Sequence, residues 1–128
     1  MTAVLDASAV LALLYREPGH DQVADLLADA VISAVNWSEI VQKLGQRGHP
    51  APSAAAEGLR SLGVHVRPFM VDDANRAALL WPATRGAGLS LGDRACLAVA
   101  AGVPDGTAVT ADKAWTTLGL DISIQLIR

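Results

Sequence analysis

The sequence contains very little cysteine and histidine. Cys96 is the only cysteine among 128 residues, so no intrachain disulfide can form and the chain suits a reducing compartment. A single cysteine also excludes a zinc site built from several thiolates. The three histidines, His20, His49 and His65, lie in unrelated contexts. Metal chemistry in this protein would therefore depend on oxygen ligands.

Long apolar runs are also absent. No stretch approaches the roughly 20 residues that a membrane-spanning helix needs. The first apolar segment has no basic lead and carries Asp6, which argues against a secretory signal peptide. The composition, 52% hydrophobic and 18% charged, is typical of a compact globular protein. We expect one cytoplasmic domain over residues 1–128, without a membrane partner.

The chain lacks the positive charge that nucleic-acid-binding domains usually carry. Thirteen Asp and Glu residues outnumber ten Lys and Arg residues, for a net charge of −3. Binding phosphates normally needs basic side chains. If four acids converged on a metal ion, which reverses their local field, nine acids would face ten bases elsewhere. The charge balance therefore permits a nucleic-acid partner without indicating one.

Short apolar strands alternate with helical segments along the chain. Strands are predicted at 2–5, 30–33, 64–69, 106–112 with its polar turn, and 122–127. Helices are predicted at 8–16, 20–30, 36–48, 51–63, between Asp72 and Pro82, and at 90–102. This alternation favours a parallel sheet with helices on both faces. In such sheets, ligands bind beyond the carboxyl ends of the strands.

Four acidic residues stand beside segments that are expected to be buried. Asp6 follows the first predicted strand and Asp112 follows the fourth, so both lie at one sheet edge if these strands are neighbours. Glu39 and Asp93 adjoin apolar helical positions. A buried carboxylate is costly unless it is paired, hydrogen-bonded or bound to a metal.

Each acid also has a simple structural interpretation. Asp6 could cap a helix, Asp93 could interact with a helix dipole, Asp112 could belong to a turn, and Glu39 could lie on a solvated helix face. These interpretations need four separate causes, whereas one divalent cation would account for all four acids. An all-oxygen ligand set suits Mg²⁺ or Mn²⁺, which stabilise phosphodiester attack and activate water.

The segments around these acids resemble a known set of motifs. They read "VLDASAVLALL", "NWSEIVQKL", "LSLGDRACLAVA" and "AVTADKAW" in chain order. This order resembles PIN-domain ribonucleases, and most closely the VapC-type toxins of bacterial toxin–antitoxin pairs, from Val4 to about Trp115. The resemblance implies a three-layer α/β/α sandwich around a short parallel sheet, metal-dependent RNA cleavage, a homodimer and a cognate antitoxin.

The resemblance also implies roles for individual residues. The catalytic, metal-binding acids would be Asp6, Glu39, Asp93 and Asp112. Glu39 would reach the metal directly or through a water molecule. Ser8 and Thr110 match small hydroxyl positions that support the first and last acids, and Asn36, which precedes the glutamate helix, would also face the site.

Three basic residues are candidates for holding RNA phosphates. Lys43 and Arg47 follow Glu39 on roughly the same helix face, and Arg94 adjoins Asp93. Lys43 could equally form a simple Glu–Lys surface pair. Arg94 could bind phosphate, or it could merely be a solvated residue at the start of its helix. Because a nearly neutral surface gives little non-specific affinity, we expect a structured RNA substrate, such as a tRNA or ribosomal RNA loop.

Two other functions are compatible with parts of the sequence. A receiver-like phosphoacceptor signalling module also gathers acids at strand ends, and Thr110 and Lys113 fit it, but it leaves Glu39 and Asp93 unexplained. A catalytically inactive PIN-like binding module is the other alternative. The presence of all four acids favours the nuclease over this module.

Overall fold

The computed structural model describes all residues, 1–128, and contains five parallel strands in one sheet. The strands are β1 (Thr2–Leu5), β2 (Val31–Ser33), β3 (His65–Arg67), β4 (Gly106–Thr110) and β5 (Ser123–Leu126). Their order across the sheet is β3-β2-β1-β4-β5. The first and fourth strands are therefore neighbours, which is the condition for Asp6 and Asp112 to lie at one edge of the sheet.

Seven α-helices connect and cover the strands. They are α1 (Ala7–Tyr15), α2 (His20–Leu26), α3 (Ala34–Gln46), α4 (Pro52–Ser61), α5 (Val71–Leu79), α6 (Trp81–Thr84) and α7 (Leu91–Gly102). Two short 3₁₀ turns cover Arg85–Ala87 and Lys113–Thr117. None of the helices combines the length and the apolar character that crossing a membrane would require.

Alternation along the central strands separates two hydrophobic cores. Ala3 and Leu5 of β1 pack with α1, α2, α3 and α4 on one face of the sheet. Val4 points to the opposite face and packs with α7 and Trp115. Successive strand residues point to opposite faces, so a strand that is apolar throughout needs helices on both sides. The predicted three-layer α/β/α sandwich is confirmed.

Several helix boundaries differ from the prediction. Helix α3 begins two residues early, because the Ser33 hydroxyl accepts a hydrogen bond from the Asn36 N–H at 3.1 Å and caps it. Helix α2 stops at Leu26, and Asp29 then takes a left-handed conformation with φ 62°. As predicted, the helix before Pro82 ends, at Leu79, and Pro82 itself lies in the first turn of α6, where proline is tolerated.

The sheet register determines where the candidate residues emerge. Leu5 pairs with Val109 across β1 and β4. The next residues, Asp6 and Thr110, therefore lie side by side at the carboxyl edge of the sheet. Strand β2 ends at Ser33 on the same edge, where α3 begins. Three chain segments that are distant in sequence thus deliver polar side chains to one edge.

Candidate active site

Asp6 is buried at the junction of β1 and α1, with 3% of its surface exposed. Its Oδ1 accepts hydrogen bonds from the Ser8 hydroxyl at 2.7 Å and from the Ala9 N–H at 2.8 Å. Its Oδ2 accepts a hydrogen bond from the Thr110 hydroxyl at 2.6 Å. Both oxygens are thus held by the protein, and the helix-cap interpretation of Asp6 describes its local geometry correctly.

The Asp6 carboxyl nevertheless holds its proton unusually tightly. Its pKa is raised to about 6, mainly by burial and to a smaller extent by the nearby charge of Asp93. The hydrogen bonds from Thr110, Ala9 and Ser8 lower the pKa but do not cancel the effect of burial. Ionising Asp6 in the folded protein therefore still costs free energy, even with three hydrogen-bond donors bound to it.

Glu39 is half-buried, so it does not lie on a fully solvated helix face, which was its simple structural interpretation. Its Oε1 accepts a hydrogen bond from the Asn36 side-chain amide at 2.8 Å. The same amide nitrogen donates to the carbonyl of Gly92 at 2.9 Å, and the amide oxygen accepts from the Ser33 hydroxyl at 2.6 Å. The predicted supporting position of Asn36 corresponds to direct contact with Glu39.

Asp93 lies in the first turn of α7, and Asp112 caps the 3₁₀ turn at Lys113–Thr117. The Asp93 Oδ2 accepts a hydrogen bond from the Ser90 N–H at 2.9 Å, in a capping box at the start of α7. The exposed Asp112 accepts through Oδ1 from the Ala114 N–H at 3.0 Å. Asp112 also donates its backbone N–H to the Thr110 hydroxyl at 3.0 Å, which links it to the hydroxyl that binds Asp6.

We call Asp6, Glu39, Asp93 and Asp112 the acidic edge. The pKa of the buried Cys96 thiol of α7 is raised mainly by burial. The charges of Asp6, Asp93 and Glu39 raise it as well. These three carboxylates therefore lie around one part of the fold, whereas Asp112 is connected to them through Thr110. No three of the chain's acidic, His or Cys side chains are close enough to ligate one ion directly.

The acidic edge has no basic counterion. None of its four carboxylates lies within 4.0 Å of a Lys, Arg or His nitrogen, although seven other ion pairs occur in the protein. An all-oxygen donor set with uncompensated charge suits Mg²⁺ or Mn²⁺. Mg²⁺ usually keeps several water ligands, so it can bridge carboxylates that do not meet directly. The residues therefore fit a hydrated divalent cation.

A cleft of about 380 Å³ opens beside the acidic edge. We call it the basic cleft, and it is lined by Ser8, Leu11, Glu17, Lys43, Gln46, Arg47 and Arg128. Ser8 belongs both to the cleft and to the hydrogen bonds of Asp6. The cleft carries three basic side chains and one acidic side chain on a protein whose net charge is negative.

The predicted RNA-binding residues differ in their surroundings. Lys43 lines the cleft and forms no ion pair, so the Glu–Lys surface pair is absent. Arg47 lies 4.5 Å from the Tyr15 ring centre and 3.8 Å from the Glu17 carboxylate. Arg94 lies outside the basic cleft, and its buried Nε has no hydrogen-bond partner.

Sequence reasoning missed Arg128. It donates a hydrogen bond to the Pro18 carbonyl at 3.0 Å, which fixes the end of the chain beside the cleft. No motif or spacing connects Arg128 with Lys43 or Arg47, because three strands and four α-helices separate them in the sequence. The only available signal was its basic character.

The parallel sheet and its acidic edge define a three-layer α/β/α domain with a candidate cation site. The chain belongs to the PIN domain family, whose profile matches residues 3–119. No curated protein matches the sequence.

Solved structures with the same fold come from toxin–antitoxin complexes. VapBC2 from Rickettsia felis, bound to a DNA fragment from its promoter, has a TM-score of 0.74 at 14% identity, and the match covers 100% of both chains. A toxin–antitoxin complex from Klebsiella pneumoniae has a TM-score of 0.75 at 16% identity, covering 99% of this chain and 98% of that one. VapBC-1 from nontypeable Haemophilus influenzae has a TM-score of 0.71 at 16% identity, covering 98% of each chain. At these identities the similarity shows the fold alone.

The raised pKa of Asp6 predicts a pH-dependent stability difference between the parent and Asp6→Asn in chelator. Between pH 3.8 and about 6 the folded parent binds this proton more tightly than the unfolded chain does. The stabilisation is full below the unfolded pKa and is lost as the pH rises through the folded one. The parent's free energy of unfolding should therefore fall by about 2 kcal/mol relative to Asp6→Asn between pH 4 and 7.

Urea unfolding of both proteins across this pH range measures the difference. Asp25→Asn, at an exposed position outside the acidic edge, is the control and should follow the parent at every pH. If the Asp6→Asn curve also runs parallel to the parent's, burial does not raise the pKa of Asp6.

Proposed function

We propose that this protein, as a PIN domain spanning residues 1–128, is a Mg²⁺- or Mn²⁺-dependent endoribonuclease. It acts in the cytoplasm as the VapC-type toxin of a type II toxin–antitoxin pair. The observation that carries this proposal is the acidic edge of a PIN-family sheet, where four carboxylates have no basic counterion. A charge arrangement of this kind is stable when a cation compensates it.

Asp6, Asp93 and Asp112 would hold the cation, and Glu39 would reach it directly or through water. The bound cation would activate the attacking water and stabilise the charge that develops on the phosphate. Ser8 and Thr110 contribute by fixing the two oxygens of Asp6. A carboxylate held at both oxygens needs little reorganisation during the reaction, which lowers the barrier.

The basic cleft supplies a path for the RNA backbone. Lys43 is free of ion pairs, and Arg128 and Arg47 line the same cleft. Because Ser8 borders both the cleft and Asp6, a strand lying in the cleft leads to the acidic edge. With little positive charge elsewhere, selection of the substrate rests on RNA shape and a short exposed sequence, as in a tRNA or ribosomal RNA loop.

The proposed partners are an antitoxin and a second copy of the chain. The structural neighbours include toxin–antitoxin complexes, and three of the neighbours are bound to DNA, which supports an antitoxin partner for this chain. Large apolar side chains are exposed on the adjacent helices α5 and α6, including Leu79 and Trp81. Exposed apolar patches often mark protein interfaces, so this surface supports the proposed homodimer.

The nuclease proposal predicts metal-dependent cleavage of structured RNA. Purified protein should cut tRNA or ribosomal RNA in Mg²⁺ or Mn²⁺ and leave 5′-phosphate and 3′-hydroxyl ends. Excess chelator should abolish cleavage, and Asp6→Asn and Asp93→Asn should each lower kcat by at least about a hundredfold, since each removes a carboxylate that would hold the cation. End-labelled RNA and gel analysis provide the measurement, and Asp25→Asn provides the control.

Two results would contradict this reaction. Cleavage by highly purified protein in excess chelator, or 2′,3′-cyclic phosphate ends, would rule out the metal-water mechanism. Intact RNA after incubation of a folded, metal-responsive parent with several structured RNAs would instead favour an inactive PIN-like binding module.

The basic cleft predicts a separate effect on substrate binding. Lys43→Ala should raise the KM for RNA several-fold and leave kcat within about twofold, because a phosphate contact positions the strand without taking part in bond cleavage. The slope of log affinity against log salt should fall by about one. Arg60→Ala on α4, outside the cleft, is the matched loss of one positive charge and should change neither value. An equal effect of both variants would show that only net charge matters.

A further inference from the structure

Gly92 lies against the carboxylate of Glu39 at the start of α7. A Cβ atom at position 92 would lie 2.5 Å from the Glu39 Cδ and 2.7 Å from its Oε2, and closer still to Oε1. Atoms of two side chains do not approach this closely in folded proteins. The carboxylate therefore occupies space that exists only because residue 92 has no side chain. Its backbone conformation is helical, so left-handed geometry does not account for the glycine.

Asn36 holds the same carboxylate from the other side. Its side-chain nitrogen donates one hydrogen bond to Glu39 Oε1 and the other to the Gly92 carbonyl. One proton of this amide thus fixes Glu39 within α3, and the other bridges α3 to α7. The amide oxygen is fixed in turn by the Ser33 hydroxyl, and Asn36 is fully buried. The orientation of the amide is therefore determined by three partners on two helices and one strand.

The geometry points to Gly92 and Asn36 as positioning residues that hold the Glu39 carboxylate at the start of α7, beside Asp93, in the orientation required for cation binding. This inference rests on the proposed metal-dependent function. Gly92 provides the space and Asn36 provides the hydrogen bond, so neither residue needs to touch RNA or the cation. The role differs from that of Ser8 and Thr110, which support Asp6 at the other side of the acidic edge.

Stability and function should respond oppositely to Gly92→Ala. Alanine is a better helix former than glycine in α7, and the clash can be relieved by rotation of the flexible end of Glu39. The variant should therefore fold with a melting temperature in chelator equal to or above that of the parent. A displaced Glu39 should lower kcat by roughly ten- to a hundredfold, because small misplacements at a reacting centre are costly. The KM for RNA should remain within about twofold.

Gly58→Ala is the matched control. Gly58 lies within α4, and a Cβ there would meet nothing within 4 Å. The Gly58→Ala variant should gain helix propensity as Gly92→Ala does, but cleavage and metal response should stay as in the parent. The readout that does not depend on activity is the rise in melting temperature caused by Mg²⁺ or Mn²⁺, which reports cation binding to the native state. Gly92→Ala should show a smaller rise than the parent and Gly58→Ala.

A double-mutant cycle tests whether Gly92 acts through Glu39. On a Glu39→Ala background the clash is removed, so adding Gly92→Ala should change kcat and the metal-induced melting shift by less than about twofold. An equally large loss on both backgrounds would overturn the inference, since Gly92 would then act independently of the carboxylate. Parent-like kcat and metal response in Gly92→Ala would overturn it as well.

The Asn36 side-chain amide provides a test that is independent of catalysis. Its NMR signals in metal-free protein should shift in Gly92→Ala and stay in place in Gly58→Ala, because only the first substitution displaces the hydrogen-bond acceptor. If the parent neither cleaves RNA nor responds to metal, the proposed function fails. The amide signals then still decide the positioning role, and unchanged signals in Gly92→Ala would contradict it.

Discussion

The site depends on the burial of one carboxylate between β1 and α1. Asp6 must be desolvated because the chain passes directly from a central strand into a buried helix. Burial raises its pKa to about 6 even though three donors bind it. One of these donors, Thr110, reaches Asp6 only because β4 lies next to β1 in matching register. The strand order, the α1 cap and the electrostatics of the acidic edge are thus parts of one arrangement.

Charge is segregated on this protein in a way that its net value of −3 conceals. The acidic edge has no basic partner, while three basic side chains line a neighbouring cleft. Ser8 connects the two regions because it binds Asp6 and borders the cleft. Under the proposed function, the cleft would attract phosphates and the acidic edge would bind the cation, and the two adjacent groups do not neutralise each other.

Structural and functional interpretations of the acids turn out to be compatible. Asp6 and Asp112 each cap a helical turn, and Asp93 completes a capping box, so their simple interpretations describe real contacts. A cap restricts the rotation of a carboxylate without using all its acceptor capacity. Local hydrogen bonds can therefore pre-orient the carboxylates that the proposed function assigns to a cation. Glu39 differs, because its restraint comes from Asn36 and from the bare backbone of Gly92.

The sequence by itself determined the alternation of strands and helices, the apolar character of both sheet faces, and the identity and order of the four acids. These features follow from short-range periodicity and from residue types that a nearby segment must accommodate. Only the tertiary structure decided that Glu39 packs on Gly92, that Lys43 stays unpaired and that Arg128 joins the cleft. Such contacts bring together side chains from distant elements. Their geometry depends on how helices pack across the sheet, and no local pattern encodes that packing.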